Sequence, residues 1–124
     1  MQSFYEALWG FYIEQSHLLP CALSDEVTTQ YLTSVSGDSA RTIVSKDRWF
    51  LSKPIETSRL DDLGLSAEVI KIDVGSDPAP VLRGGQETLK GASVVIVENG
   101  NPADLQGLGF QVQQIGEHHT LGVR

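Results

Sequence analysis

The sequence predicts an α/β domain with a parallel βαβ unit at its centre and an antiparallel hairpin closing its carboxyl end. Three observations predict it. Residues 69–74 (VIKIDV) and 94–97 (VVIV) are short, β-branched apolar runs of the kind that parallel strands need. The segment between them carries helix start and stop signals, and two parallel strands cannot be joined without such a crossover. Residues 110–115 and 120–123 then flank a turn at 116–119, as a hairpin does. Sheets with parallel strands place ligands at the carboxyl ends of those strands. Asp73 and Glu98 stand at the two ends in question.

The elements follow in order. Residues 1–17 predict an amino-terminal helix, with Ser3 as N-cap, Glu6 closing a capping box, and Phe4, Leu8, Phe11 and Tyr12 at helical spacing. Residues 18–23 predict a short apolar strand broken by Pro20, which suggests an edge or a strand start. Residues 28–45 predict a hairpin, its strands at 29–35 and 41–45 joined by Ser36-Gly37-Asp38-Ser39. Trp49, Phe50 and Leu51 within 46–52 predict an aromatic plug beneath a loop. Residues 54–58 are expected to be extended, and 59–63 to form a turn or short helix.

The crossover helix has a clear start. Asp77 is the expected N-cap and Pro78 the first helical residue, with Val81, Leu82, Gly85 and Leu89 on the apolar face. Gly84-Gly85 weakens its middle, which predicts close packing against the sheet. Lys90-Gly91 ends it. A further short helix is expected at 103–108.

Composition narrows the function classes. The chain has 124 residues, enough for the single domain expected over 1–124. Its net charge is −7, and its nine basic residues are scattered. That argues against nucleic-acid or anionic-membrane partners, which need a basic patch. No apolar run approaches the roughly 18 residues of a membrane span, and the first residues lack the basic flank of a signal peptide. The single Cys21 has no internal disulfide partner, so a cytoplasmic location is expected, with Cys21 as a buried small hydrophobe.

Four stretches, taken together, resemble the carboxyl-terminal half of the FkbM-type S-adenosylmethionine-dependent methyltransferases: LLPCALSD (18–25), PIETSRLDDL (54–63), VIKIDV with VLRGGQETL (69–74 and 81–89), and GASVVIVE with the closing GLGFQVQQIGEHHTLGVR. The resemblance spans about 18–124 and implies a truncated Rossmann-like methyltransferase fold. In that family a glycine-rich turn and an acidic residue on the first two strands hold the cofactor; by resemblance this chain starts after them. No cofactor is therefore expected for the isolated chain, and S-adenosylmethionine only if a partner completes the fold. The family's "EGaE" after the aspartate is here Gly75-Ser76-Asp77-Pro78, so both family glutamates are absent. The family's first two strands lie between its third and fourth. Their loss predicts an exposed edge at 69–74, covered by the 18–23 segment, by a second copy, or by a complementary chain.

The candidate site residues follow. Asp73 is the leading one, because it ends a central strand. Lys71 sits inside an apolar strand and must pair with Asp73 or Glu98, snorkel, or face a cavity; with Asp73 it forms the catalytic candidate pair. Glu98 and Asp77 are substrate-binding candidates, although the N-cap position by itself explains Asp77 without any function. No metal site is expected: Asp61-Asp62 lack a third ligand nearby, and His118-His119 diverge at a hairpin tip. The expected function is a methyltransferase-like module that is non-catalytic alone and self-associates through its exposed edge. The alternative is the substrate-side half of a split O-methyltransferase.

Overall fold

Two four-stranded sheets and three short helices make up the mixed α/β architecture of the computed structural model, which describes residues 16–34 and 42–124. The expected amino-terminal helix, up to residue 15, and the hairpin turn at 36–39 lie outside the described residues.

The first sheet is built from β1 (Ala22–Leu23), β2 (Thr29–Ser34), β3 (Thr42–Ser45) and β4 (Lys53–Ser58), in the order β1-β4-β2-β3. β2 and β3 form the predicted hairpin, with Leu32 opposite Val44. β4 pairs antiparallel with β2 and parallel with β1. Thr57 ties this sheet to its loop: its fully buried hydroxyl donates to the Glu26 and Thr28 carbonyls, at 2.8 and 3.0 Å, and accepts from the Thr28 N–H. The apolar 18–23 run gives only a two-residue strand. It starts after Pro20, lies at an edge, and pairs with β4 rather than with the central βαβ unit.

The second sheet holds β5 (Val69–Ile72), β6 (Val94–Glu98), β7 (Gln111–Ile115) and β8 (His119–Val123), in the order β5-β6-β8-β7. β5 and β6 run parallel and in step, Val69 beside Val94 and Ile72 beside Val97. β8 is antiparallel to both β6 and β7. The strand expected at 69–74 stops at Ile72, where the chain turns toward the helix. Among the described residues the outer edge of β5 has no strand partner.

The crossover is two helices, not one. α1 (Ala79–Gly84) and α2 (Gln86–Lys90) meet at Gly85, whose φ of −126° and ψ of 19° leave the helical region. The N-cap of α1 is Pro78, one residue later than expected. Asp77 still serves the helix, accepting from the Ala79 N–H at 3.0 Å. The predicted Gly84-Gly85 close approach is made, but not to the sheet. A Cβ on Gly84 would stand 2.1 Å from the Ser24 carbonyl oxygen, and one on Gly85 2.7 Å from the Leu60 side chain.

α1, α2 and α3 (Pro102–Gln106) cover one face of the second sheet. Val81, Leu82, Leu89, Leu105 and Phe110 pack there on Ile72, Val95 and Val97. The short helix expected at 103–108 thus starts one residue early and ends two residues early. The opposite face carries Val69, Ile96 and Leu121 only partly covered or exposed.

Two further expectations are corrected. Trp49, Phe50 and Leu51 are no plug: they are 62, 92 and 83% exposed, on a turn closed by the Ser52 hydroxyl donating to the Trp49 carbonyl. Composition alone cannot tell an apolar run beneath a loop from one on its tip. Cys21 is half-buried rather than buried.

The 3-10 turn Leu60–Leu63 caps a helix distant in sequence. Asp61 accepts from the Glu87 N–H at 3.2 Å, and from the Thr88 N–H and hydroxyl at 2.8 and 2.9 Å. It therefore satisfies the first free donors of α2. Burial acts to raise the Asp61 carboxyl, but the hydrogen bonds from Thr88 and Glu87, with the nearby Arg59, outweigh it and hold the group below its ordinary value of 3.8. A lowered folded-state value contributes stability above the unfolded value, which is lost as pH falls through the folded one. Asp61→Ala is expected to cost about 1–2 kcal/mol at neutral pH, with the difference from wild type shrinking as the medium is acidified below 3.8; urea denaturation as a function of pH measures both. Gly84→Ala is expected to cost roughly 1–3 kcal/mol by overpacking, and an unchanged midpoint would show that the Ser24 strand can withdraw freely.

Candidate functional site

Parallel, in-step pairing brings the ends of β5 and β6 to the same side of the sheet. Asp73 follows β5 and Glu98 closes β6. β8 runs the opposite way, so its first residue, His119, stands beside Glu98. Lys71 and Asp73 are two residues apart on extended chain and share a face, with the lysine Nζ 3.4 Å from Asp73 Oδ2. Three of the four predicted site residues are thus brought together. Lys71 is no buried charge: β5 turns that face outward, and the Lys71 and Asp73 side chains are 58 and 51% exposed.

The two carboxyls act on each other. The hydrogen bond with Glu98 holds Asp73 below the usual carboxylate range; partial burial opposes this, while Lys71 and His119 add to it. The same hydrogen bond and the Asp73 charge hold Glu98 above its ordinary 4.5. Two neighbouring carboxyls resist double ionisation, which is why the two are pushed apart in opposite directions. Such a group can accept a cation or hydrogen-bond a polar ligand. It is open to water, which screens it.

Asp77, the fourth candidate, does not join them. It lines a cleft of about 510 Å³ between the two sheets, together with Cys21, Ser24, Gln30, Lys46 and Arg83. Gln30 and Ser24 are buried there, the Gln30 amide donating to the Ser24 hydroxyl at 3.3 Å. That hydroxyl donates to Asp25, which also receives Arg83 Nε at 3.0 Å. Arg83 accordingly holds Asp25 below the ordinary value. Lys46 pairs with Glu26, which raises the lysine. Both cations at the cleft are already matched by carboxylates.

His119 and the cleft residues were missed in the sequence. The signal for His119 lies in strand register, since only the antiparallel β6–β8 pairing sets it beside Glu98. Asp25 and Arg83 lie 58 positions apart and carried no local signal. Gly84 and Gly85 do not fit a nucleotide-binding turn. Gly84 and Gly85 are occupied by Ser24 and Leu60, and the β5–α1 turn enters its helix through Pro78 and Pro80, which supply no N–H donors. Among the described residues no three His, Cys, Asp or Glu side chains converge as a metal site, and no helix is long and apolar enough to cross a membrane.

Compared with protein-family models, with curated proteins and with solved structures, the chain matches none.

Glu98 is raised in the folded state, so its contribution is full below 4.5 and is lost as pH rises through the folded value; Asp73 is lowered, so its contribution is present above 3.8 and lost as pH falls. Glu98→Gln removes the repulsion between two charged carboxylates. Its melting temperature is expected to exceed that of wild type at neutral pH, with the advantage disappearing as pH drops below the folded Glu98 value. Thermal melts across that range check this, and parallel curves for the two proteins would refute it.

Proposed function

We propose that these 124 residues form a methyltransferase-like half-fold of the FkbM type, Rossmann-like in plan, that is non-catalytic alone and acts by association through the free edge of β5. One observation carries the reading. β5 has the composition of a central parallel strand, yet it stands at the edge of its sheet. Val69 on that edge is 62% exposed. An apolar strand with unpaired backbone groups is a ready template for another strand.

The strand order β5-β6-β8-β7, with an antiparallel β8 inserted beside β6, supports the likeness to the family's carboxyl half. The occupied Gly84 and Gly85 and the proline-entered helix support the reading that the β5–α1 turn does not cradle a cofactor. The methyltransferase chemistry stays with the resemblance alone.

A second reading has its own support. Residues of the edge strand β1 and of the turn after β5 line the same cleft. Strands of a complementary chain seated between those edges would make the chain the substrate-side half of a split O-methyltransferase, with Asp73, Lys71 and Glu98 beside the completed site.

Calorimetric titration of the purified chain with S-adenosylmethionine is expected to give no binding heat, while sedimentation shows association that rises with concentration. Cofactor binding by the chain alone would overturn the non-catalytic reading, and a monomer at every concentration would overturn the association.

A further inference from the structure

Three consecutive large apolar side chains, Trp49, Phe50 and Leu51, stand in water on the turn between β3 and β4. The turn is fastened at both ends. Ser52 donates its hydroxyl, at 2.6 Å, and its N–H, at 3.1 Å, to the Trp49 carbonyl. The Ser45 hydroxyl accepts from the Asp47 N–H at 3.2 Å and donates to the Asp47 carbonyl at 3.0 Å. Between them Leu51 sits at φ 67°, in the left-handed region. Glycine takes that conformation freely, whereas a residue with a Cβ pays for it in strain. Burial of the leucine would offset the strain, yet its side chain is 83% exposed. Strain held at an exposed apolar side chain points to a use outside the fold.

Charge and shape select the occupant. Arg48 and Lys53 flank the apolar triplet and are exposed, and neither pairs with a carboxylate among the described residues. With Lys46 taken by Glu26, they outnumber Asp47, the turn's own carboxylate. Three successive residues of a tight turn do not share one face, so one rigid pocket would leave part of the triplet in water. A fluid bilayer interface receives side chains in any direction, and it favours aromatic residues. We propose that this turn inserts into the interface of a zwitterionic phospholipid bilayer. Trp49, Phe50 and Leu51 enter the boundary between headgroups and acyl chains, while Arg48 and Lys53 reach the lipid phosphates. The net charge of −7 turns the rest of the molecule away from an anionic surface. Apolar insertion, not long-range attraction, therefore holds it there.

Co-sedimentation of the whole chain with phosphatidylcholine vesicles tests this, with Trp49 fluorescence in a Trp9→Phe chain as a second readout. Binding is expected, with Trp49 emission moving to shorter wavelength, and both are expected to persist at high salt, which screens only the charges. Phe50→Ser is expected to weaken partition roughly tenfold or more. Leu51→Gly is expected to weaken it several-fold while the melting temperature holds or rises, because glycine relieves the left-handed position. A misfolded chain cannot give that combination. A chain that stays in the supernatant at every lipid concentration would overturn the proposal. So would binding that Phe50→Ser leaves intact, or binding that needs anionic lipid and vanishes in salt. Self-association abolished by Phe50→Ser, with no vesicle binding, would overturn it by giving the turn to a second copy.

Discussion

Among the described residues, a single turn of chain around Gly84 joins the first sheet to the crossover helices that cover the second, beside the cap that Asp61 places on α2. Where α1 ends, the backbone comes so close to the Ser24 carbonyl that no side chain fits between them. One residue on, Gly85 gives the same clearance to Leu60. Arg83, just before, reaches Asp25 with two nitrogens at 3.0 and 2.9 Å. Thus the end of β1, the 3-10 turn and the crossover helices are fixed against one another by two missing side chains and one ion pair. The cleft between the sheets inherits its walls from this joint, since Val81 and Arg83 line it on one side and Ser24 and Asp25 on the other.

What could be read in the sequence was what is encoded locally. The β-branched runs at β5 and β6, the hairpin strands around 28–45 and 110–123, and the Asp-Pro helix start all act through neighbouring residues, and all were legible to within a residue or two. The convergence of Asp73, Glu98 and Lys71 was legible too, because parallel strands force their carboxyl ends together. What was not legible depends on pairing across the chain. Asp61 read as a turn carboxylate because the donors it satisfies lie 26 and 27 positions away. His119 read as a hairpin tip until β8 was seen to lie beside β6. Trp49 and Phe50 failed for another reason: hydrophobicity favours burial without enforcing it, and nothing in their spacing says which side of a loop they take.

Lys71 shows how one residue can serve opposing demands at an edge. A lysine on an exposed strand discourages indiscriminate pairing, since a chance partner must accommodate its charge. The same charge rewards a strand carrying a carboxylate at the matching position. Specificity then comes as much from the pairings that are penalised as from the one that is favoured. Glu98 and Lys71 both favour the charged form of Asp73, the carboxylate beside that lysine.

The cap that Asp61 places on α2 has a consequence for the helix itself. Five residues are far fewer than the roughly 12–15 that a helix needs to persist alone in water. α2 therefore has no independent existence. It is held by its packing and by the cap from the 3-10 turn, across a loop of some two dozen residues containing all of β5 and α1. Leu89, fully buried and central to the core, sits on that helix. A helix too short to persist alone thus carries one of the most deeply packed side chains, so its packing and its cap depend on each other.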